Sequence, residues 1–593
     1  GDSMNIFMVL SLIGGLALFL YGMQMMGDGL KKASGGKLEM ILEKLTSNKL
    51  MAVLLGAGVT AIIQSSSATT VMVVGFVNSG IMSLSRAVGV IMGANVGTTV
   101  TAWILSMTEI TGQSLFLQLL KPSSFSPILA IVGVAILMTS KKEKQRDGAA
   151  IMLGFAILMF GMEMMSGAVE PLAESEEFQK VLLMFANPVL GMLVGCGFTI
   201  LIQSSSAAVG ILQALSATGA VTNLSAIPLI MGANVGSTTT ALISSIGASR
   251  NAKRAALVHF YFNIIKTVTF MLLFYCFNAI FHFAFASEPA TAVGIAVIHS
   301  SFNIAAAIIF TPVSSIFEKM AYLTIPKLES EEEDRIPAKS EIQILDTRFL
   351  NTPGYALEQC KNAAIDMANY SKEALFLAID QIGKFDKKSA ARVIELEELV
   401  DHYEDELGSY LVKLSSRHLT EKDSQELSVL LHCIGDFERI SDHAINIMES
   451  AREMNDKSLS FSKKAEEELT VFTGAIKDIV NTSILVFQEE DLKLALQVEP
   501  LEEVIDHLNA EIKKRHIKRL RKGKCTIEMG FILSDISTNY ERVSDHCSNI
   551  ALCLLQLNED NFDTHMYQEN ISASDNKDFN EEYKRLRTHY QLP

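Results

Sequence analysis

Charge is what the first half of this chain lacks. Up to about residue 320 Asp, Glu, Lys and Arg are sparse and beyond it they are dense, so the apolar residues that fill 49% of the 593 positions are unevenly spread, and the chain reads as two modules. Segments 5–25, 86–107, 125–140, 148–168, 226–246, 257–281 and 291–315 are long and nearly free of charge, as a bilayer core of ~30 Å requires of helices of about 20 residues. A soluble helical core would not need apolar residues on every face of so many consecutive helices. Basic excess is missing too: the net charge of −16 excludes the electrostatic footprint of a nucleic-acid binder. The seven cysteines show no paired spacing and no C-x-x-C, which fits small buried residues in a reducing compartment. No cleavable secretory signal is evident, and the Gly-Asp-Ser before Met4 reads as appended residues.

What the first half does have is a repeat. "QSSS" at 64–67 returns at 203–206, "GMQMM" at 22–26 matches "GMEMM" at 161–165, and "IMGANVGTT" at 91–99 matches "IMGANVGST" at 230–238, all at one offset of 139 residues. One unit has been duplicated. The basic loops "KKASGGK" (31–37), "KKEKQR" (141–146) and "SRNAKR" (249–254) belong on the cytoplasmic side, and the acidic "EPLAESEEFQ" (170–179) on the other. That assignment puts the N-terminus outside. It closes only if the stretches around each QSSS, roughly 50–80 and 189–219, enter the membrane and return on the side they came from, the first from the cytoplasm and the second from outside. The two copies then have inverted topology with re-entrant hairpins, the organisation of secondary transporters.

In hydrocarbon an irregular turn survives only where it faces protein or a water-filled cavity. A glutamine and three serines at a hairpin tip offer amide, hydroxyl and backbone donors beside the N-terminal end of the returning half-helix, which is the chemistry of an oxyanion site. Gly93–Thr99 and its copy Gly232–Thr238 combine glycines, which permit unwinding, with Asn and hydroxyl oxygens that suit a hard monovalent cation. The plainer alternative is that the small residues only let helices approach closely. The spanning segments hold almost no cation, Lys266 being the clear exception and Arg86 lying near a boundary. A dianion held by neutral donors in a low-dielectric site carries a desolvation cost of several kcal/mol that co-bound cations offset, so sodium coupling is expected. His259 with Asn263 and His299 with Asn303, each at i, i+4, are read as a relay or as interhelical hydrogen bonds. Glu163, whose copy is Gln24, is a candidate cation or proton site.

These paired motifs resemble the sodium/phosphate cotransporter family over roughly residues 5–315. The resemblance implies that phosphate is bound by Gln64, Ser65, Ser66, Ser67, Gln203, Ser204, Ser205 and Ser206, with sodium at Asn95, Thr98, Thr99, Asn234, Ser237 and Thr238. The first hairpin continues "ATT" and the second "AAV", so the halves need not contribute equally.

Beyond the acidic, proline-containing stretch 326–341 the pattern is helical from Thr352 and Pro353, a cap and first-turn pair, to about 556, with breaks near 385, 418, 457, 490 and 523. Six helices are expected, and they too form a repeat: "LEELVDHYEDEL" (396–407) matches "LEEVIDHLNAEI" (501–512), and "DFERISDHAINI" (436–447) matches "NYERVSDHCSNI" (539–550). Glu397 and Asp401, Glu438 and Asp442, Glu502 and Asp506, and Glu541 and Asp545 each stand at i, i+4, on one helix face. Two such helices side by side invite a divalent or trivalent metal; a solvated face paired with Arg439 and Arg542 is the alternative. The duplicated three-helix pattern resembles the PhoU family of phosphate-signalling proteins over about 345–556, which implies metal binding through these acidic motifs. After Asn558 the chain is polar and is expected to fray.

The expectation is therefore an all-α protein: a membrane transporter domain at 1–320 (repeats about 5–140 and 148–281), an acidic linker at 321–344, a PhoU-like domain of two three-helix bundles at 345–556 and a polar tail at 557–593. Its function reads as sodium-coupled import of inorganic phosphate across the cell inner membrane by alternating access. The PhoU-like domain regulates from the cytoplasm, and a homo-oligomer is compatible. A membrane-anchored signalling adaptor with little transport, or a carrier of another anion such as sulfate, are the competing readings. An enzyme is not expected, since no general base accompanies the serines.

Overall fold

The apolar runs of the first half fold as helices that break at serine, asparagine and glycine, because an N-terminal cap and a left-handed residue are what a helix needs to start and stop. The computed structural model describes residues 6–34, 36–45, 48–107, 118–119, 122–172, 176–327, 345–556 and 577–593. Among them every regular element is helical, and the chain divides into two compact units, Gly1–Tyr355 and Ala356–Pro593.

The first unit comprises α1 (Ile6–Ser34), α2 (Lys37–Leu45), α3 (Lys49–Ile63), α4 (Ser66–Asn78), α5 (Leu84–Gly97), α6 (Thr99–Ser106), α7 (Pro122–Thr139), α8 (Glu143–Val169), α9 (Glu176–Met184), α10 (Pro188–Ile202), α11 (Ser205–Ser216), α12 (Asn223–Gly236), α13 (Thr238–Ser244), α14 (Arg250–Phe281), α15 (Ala284–Ser287), α16 (Ala292–Phe310) and α17 (Ser315–Thr324). α1, α5 with α6, α8, α12 with α13, α14 and α16 are long and apolar enough to cross a membrane; α7 is shorter. This is a multi-pass membrane unit.

Its two copies meet reciprocally. A Cβ on Gly15 would lie 2.9 Å from the Gly161 carbonyl, one on Gly161 2.6 Å from the Gly15 carbonyl, and Gly22 and Gly154 repeat the pattern at 2.6 and 2.9 Å. At the 139-residue offset Gly154 is the copy of Gly15 and Gly161 the copy of Gly22. Each contact is thus the image of the other, as across a two-fold axis. Because the earlier residue of α1 meets the later one of α8, the two helices run antiparallel. The same exchange recurs deeper in: α4 packs on α13 and α11 on α6, placing Val74 with Ala241 and Val209 and Leu212 with Ala102.

Residues 345–355, which the sequence groups with the second module, pack on the first unit. The turn Thr347–Asn351 buries Phe349 against the Phe76 ring of α4, centroids 5.6 Å apart. Arg348 donates from Nε to the Ser244 carbonyl at 2.6 Å, and Asn78 donates to Asp346.

The second unit takes α18 (Pro353–Asp380) from Ala356 onward, then α19 (Lys387–Ser415), α20 (Glu421–Asp456), α21 (Lys463–Glu489), the short α22 (Leu492–Ala495), α23 (Val498–Arg521), α24 (Ile527–Gln556) and α25 (Lys577–His589). The six long helices before α25 break where the sequence predicts. Asp386, Thr420 and Ser462 cap α19, α20 and α21 through their side-chain oxygens. α21 is also apolar enough to qualify as a span, but its Leu469, Phe472, Ile476 and Val480 are buried and it packs on α24, so its hydropathy is that of a core helix. The expected fraying of the tail does not hold for 577–593. Leu586 and Tyr590, four apart, are both buried, the Tyr590 hydroxyl donates to Asp478, and Arg515 donates to the Pro593 carbonyl at 2.7 Å. The intervening 557–576, like the acidic stretch 328–344, lies outside the described residues.

Candidate functional site

Each QSSS is a helix break. α3 stops at Ile63 and α4 starts at Ser66, and between them Gln64 adopts φ 61°, as Gln203 adopts φ 57° between α10 and α11. A side chain larger than glycine rarely takes that conformation, so something must hold it. Gln64 donates from Nε2 to the Ala61 carbonyl and accepts at Oε1 from Thr101 Oγ1 at 2.7 Å. Gln203 donates to the Ile200 carbonyl at 2.6 Å and accepts from Thr240 at 2.9 Å. Thr101 and Thr240 are copies of each other. The sequence reading missed both, although the shared offset was there to find them.

The serines take cap and first-turn positions. Ser65 Oγ accepts from the Ala68 amide and Ser204 Oγ from the Ala207 amide, each at 3.2 Å. Ser66 with Ser67, and Ser205 with Ser206, open α4 and α11, where backbone N–H groups have no partner inside the helix. Ser205 and Ser206 are buried and Gln203 exposed, whereas Gln64, Ser65, Ser66 and Ser67 are all half-buried. The halves differ in one further bond. Thr60 donates to Thr69 at 3.0 Å and clips the first hairpin's arms together; in the second copy Ala208 replaces Thr69, and the Thr199 hydroxyl is buried without a partner.

The GANVG stretches do not unwind. Thr98 keeps right-handed helical angles (φ −58°, ψ −28°), as does Ser237 (φ −62°, ψ −19°). Their glycines serve close approach instead: a Cβ on Gly93 would sit 2.0 Å from the Val53 carbonyl and one on Gly232 2.0 Å from the Met192 carbonyl. Oxygen ligands are still on offer. Asn95 and Asn234 tie their Nδ2 groups to the carbonyls of Ile91 (3.0 Å) and Ile230 (2.8 Å). Thr98, Thr99, Ser237 and Thr238 donate their hydroxyl protons to carbonyls three or four residues earlier, in α5 and α12. A hydroxyl or amide whose protons are committed presents lone pairs to whatever lies on its other side.

His259 and His299 are buried, and the two asparagines four residues on, Asn263 and Asn303, donate to their carbonyls at 2.9 Å each. The Asn303 amide also makes an interhelical bond, accepting from Lys266 of α14, whereas Asn263 Oδ1 is buried without a partner among the described residues. Lys266, 0% exposed, donates to Asn303 Oδ1 at 2.8 Å and to Asn95 Oδ1 at 3.4 Å. Glu163 is exposed.

In the second unit the acidic motifs converge within each repeat. Ligand oxygens of Glu502, Asp506 and Asp545 lie within 4.8 Å of one another, and Glu541 accepts from Asn509. Burial, then Asp506 and Glu499, pushes the Glu502 carboxyl up to about 9; burial, then Glu541, pushes Asp506 up to about 6. In the first repeat Glu397 is raised by burial and by Asp442 and Asp401, and Glu438 by burial and Asp442. Arg439 and Arg542 pair at 3.5 Å with Asp442 and Asp545, so the solvated-face alternative is present as well, without neutralising either cluster. An all-carboxylate oxygen set suits hard divalent or trivalent cations. Sequence reasoning missed Glu404, seven residues after Glu397, and Glu499, three before Glu502, which join the same faces. It missed also the pair that joins the repeats: His443 Nδ1 to Asn539 and His546 Nδ1 to Asp436, both 2.8 Å, with the rings 5.6 Å apart.

The Na+/Pi-cotransporter family model matches residues 18–167 and 157–306, and the PhoU domain model matches 364–451 and 472–554. A putative inorganic phosphate export protein of Escherichia coli is 23% identical over 554 residues, 92% of this chain and 97% of its own. An uncharacterised protein of Bacillus subtilis is 30% identical over 312 residues, 52% of this chain and 96% of its own. A phosphate-specific transport system accessory protein of the PhoU type from Thermotoga maritima is 26% identical over 180 residues, 30% of this chain and 77% of its own.

Proposed function

From the premise that this chain belongs to the Na+/Pi-cotransporter family and carries PhoU domains in its C-terminal half, we propose that it moves inorganic phosphate together with sodium by alternating access. The observation that carries this reading is the duplicated helix break, with capped serines at the start of α4 and α11 and a glutamine locked at each turn. Backbone N–H groups and hydroxyls at a helix N-terminus are donors aimed at an anion. On this reading Gln64, Ser65, Ser66, Ser67, Gln203, Ser204, Ser205 and Ser206 bind phosphate, while Asn95, Thr98, Thr99, Asn234, Ser237 and Thr238 supply oxygens to sodium.

Three physical points support the mechanism. The arms α3 and α4 measure about 20 Å each at 1.5 Å per residue, short of a ~30 Å hydrocarbon core, so the hairpins are re-entrant. The antiparallel, reciprocal contact of α1 with α8 is what inverted repeats produce, and inverted repeats rocking about a midplane site give alternating access. Sodium offsets the burial of a dianion among neutral donors.

The basic loops are cytoplasmic. Ser249, in the third of them, donates its amide to Asn78 at 2.7 Å, the residue that also holds Asp346. The segment leading to the PhoU domains therefore leaves from the cytoplasmic face of an inner-membrane protein, where those domains regulate transport. Glu397, Asp401, Glu438 and Asp442, and Glu502, Asp506, Glu541 and Asp545, would hold the metal of the two repeats, and a bound cation would supply the positive charge that lets these carboxylates stay ionised together.

A symporter runs whichever way the summed gradients point. The full-length likeness to a protein named for putative phosphate export favours, as a second reading, net efflux under high internal phosphate. Radiolabelled phosphate movement in proteoliposomes, with the sodium gradient imposed in either direction and sulfate as competitor, tests the proposal. Sodium-driven uptake that sulfate leaves intact is expected. Uptake indifferent to sodium removes the coupling, blockage by sulfate moves the substrate class, and no flux at all leaves the adaptor reading.

A further inference from the structure

Lys266 is buried in the membrane unit with no carboxylate partner among the described residues. Its Nζ lies 2.8 Å from Asn303 Oδ1 and 3.4 Å from Asn95 Oδ1, and 5.0 and 4.9 Å from the ring centroids of Phe262 and Phe302. Two amide oxygens and two aromatic faces solvate a cation but leave its charge uncompensated, and an uncompensated buried charge costs several kcal/mol. One of those oxygens belongs to Asn95, a member of the oxygen set assigned to sodium. Its copy Asn234 makes the same backbone bond, yet its Oδ1 accepts from no lysine among the described residues. At the repeat offset the position matching Lys266 is Pro127, so the cation exists in only one half.

We propose that the Lys266 ammonium is a tethered cation that takes the place of a sodium ion at Asn95, so that the first copy's oxygen set holds a fixed positive charge lent by the second copy's α14, and the second copy's set, through Asn234, a mobile one. The inference rests on the sodium-phosphate symport proposed above and adds what it leaves open, the number of sodium ions moved. The fixed charge offsets part of the charge of bound phosphate without being transported, so fewer sodium ions accompany each phosphate than two equivalent copies would require. It also accounts for a buried lysine with no acid beside it among the described residues: the counter-charge is the substrate.

The test is the steepness of sodium activation and the charge moved per phosphate, read from the reversal potential, in proteoliposomes of the full chain and of Lys266→Met. The variant is expected to need one more sodium: the Hill coefficient for sodium rises by about one, half-activation shifts to higher sodium, and the reversal potential moves by one charge per phosphate. Lys266→Arg keeps the wild-type steepness. A Lys266→Met protein that transports with unchanged steepness and stoichiometry overturns the inference while leaving the symport intact; wild-type protein that shows no sodium dependence brings down both. Should Lys266→Met not fold, Asn303→Asp decides. A carboxylate there neutralises the ammonium and should raise the KM for phosphate about tenfold at unchanged sodium steepness, and an unchanged KM contradicts the tethered-cation role.

Discussion

In the membrane unit the duplicated helices α1 and α8 touch at glycines, Gly15 with Gly161 and Gly22 with Gly154. In the C-terminal unit the copies touch through polar groups: His443 reaches Asn539 as His546 reaches Asp436, and an offset of 103 residues makes His546 the copy of His443 and Asn539 the copy of Asp436. Both units are duplications closed by reciprocal contacts. The difference lies in the environment each must satisfy. Between spanning helices close backbone approach is an attraction available, and small residues supply it; in the C-terminal unit the repeats can gather carboxylates, because solvent and counter-ions share the cost. On the proposed reading the same contrast separates the sites, neutral donors for an anion in one unit and clustered acids for a cation in the other.

The comparison can be broken most severely at the anion donors. Ser66→Ala with Ser205→Ala should lower sodium-driven phosphate uptake by about a hundredfold or more, since each hydrogen bond to a charged group contributes about 1.5–3 kcal/mol; uptake within threefold of wild type would remove these serines from the site. The glycine contacts come next. Gly93→Ala places a methyl 2.0 Å from a backbone oxygen, an overpacking worth about 3 kcal/mol, and should cut the yield and melting temperature of the detergent-solubilised protein. Gly58→Ala and Gly197→Ala, which meet open space, should do neither.

The repeats, the helix breaks at QSSS and the six helices of the second unit were legible because duplication and capping chemistry are written locally. Gln64 in a left-handed conformation was not: its stability comes from Thr101, and a bond across 37 residues has no local signature. The unwinding that the glycines of Gly93–Thr99 would permit is not taken up, for a related reason. A glycine that permits unwinding and one that admits a neighbour's backbone look alike until α3 is seen against it. The tail was misjudged because its composition is polar while Leu586 and Tyr590, four apart, suffice to dock one helix.

Two gentler changes sharpen the acidic side of the contrast. Glu502→Gln with Asp506→Asn should weaken binding of divalent or trivalent metal to the full chain by about tenfold or more, measured by equilibrium dialysis; unchanged binding would place the metal elsewhere. In metal-free protein the raised carboxyls set a pH dependence. Glu502 and Asp506 ionise near 4.5 and 3.8 when unfolded and near 9 and 6 when folded, so folding takes up protons in that window. Their contribution is fully present below the unfolded values and is lost as pH climbs through the folded ones. The melting temperature of the C-terminal unit should therefore fall by a few degrees from pH 5 to pH 9, and Glu502→Gln should flatten the slope. A rise with pH would contradict the assignment.

Coupling between the two substrates is the central claim, and linkage makes it testable from the phosphate side. The direct measurement is uptake of radioactive sodium into proteoliposomes driven only by an inward phosphate gradient, with no sodium gradient and the membrane potential clamped. Phosphate-driven accumulation of sodium, abolished in the Ser66→Ala and Ser205→Ala protein, is the predicted result. Sodium that enters at the same rate with and without phosphate would contradict it.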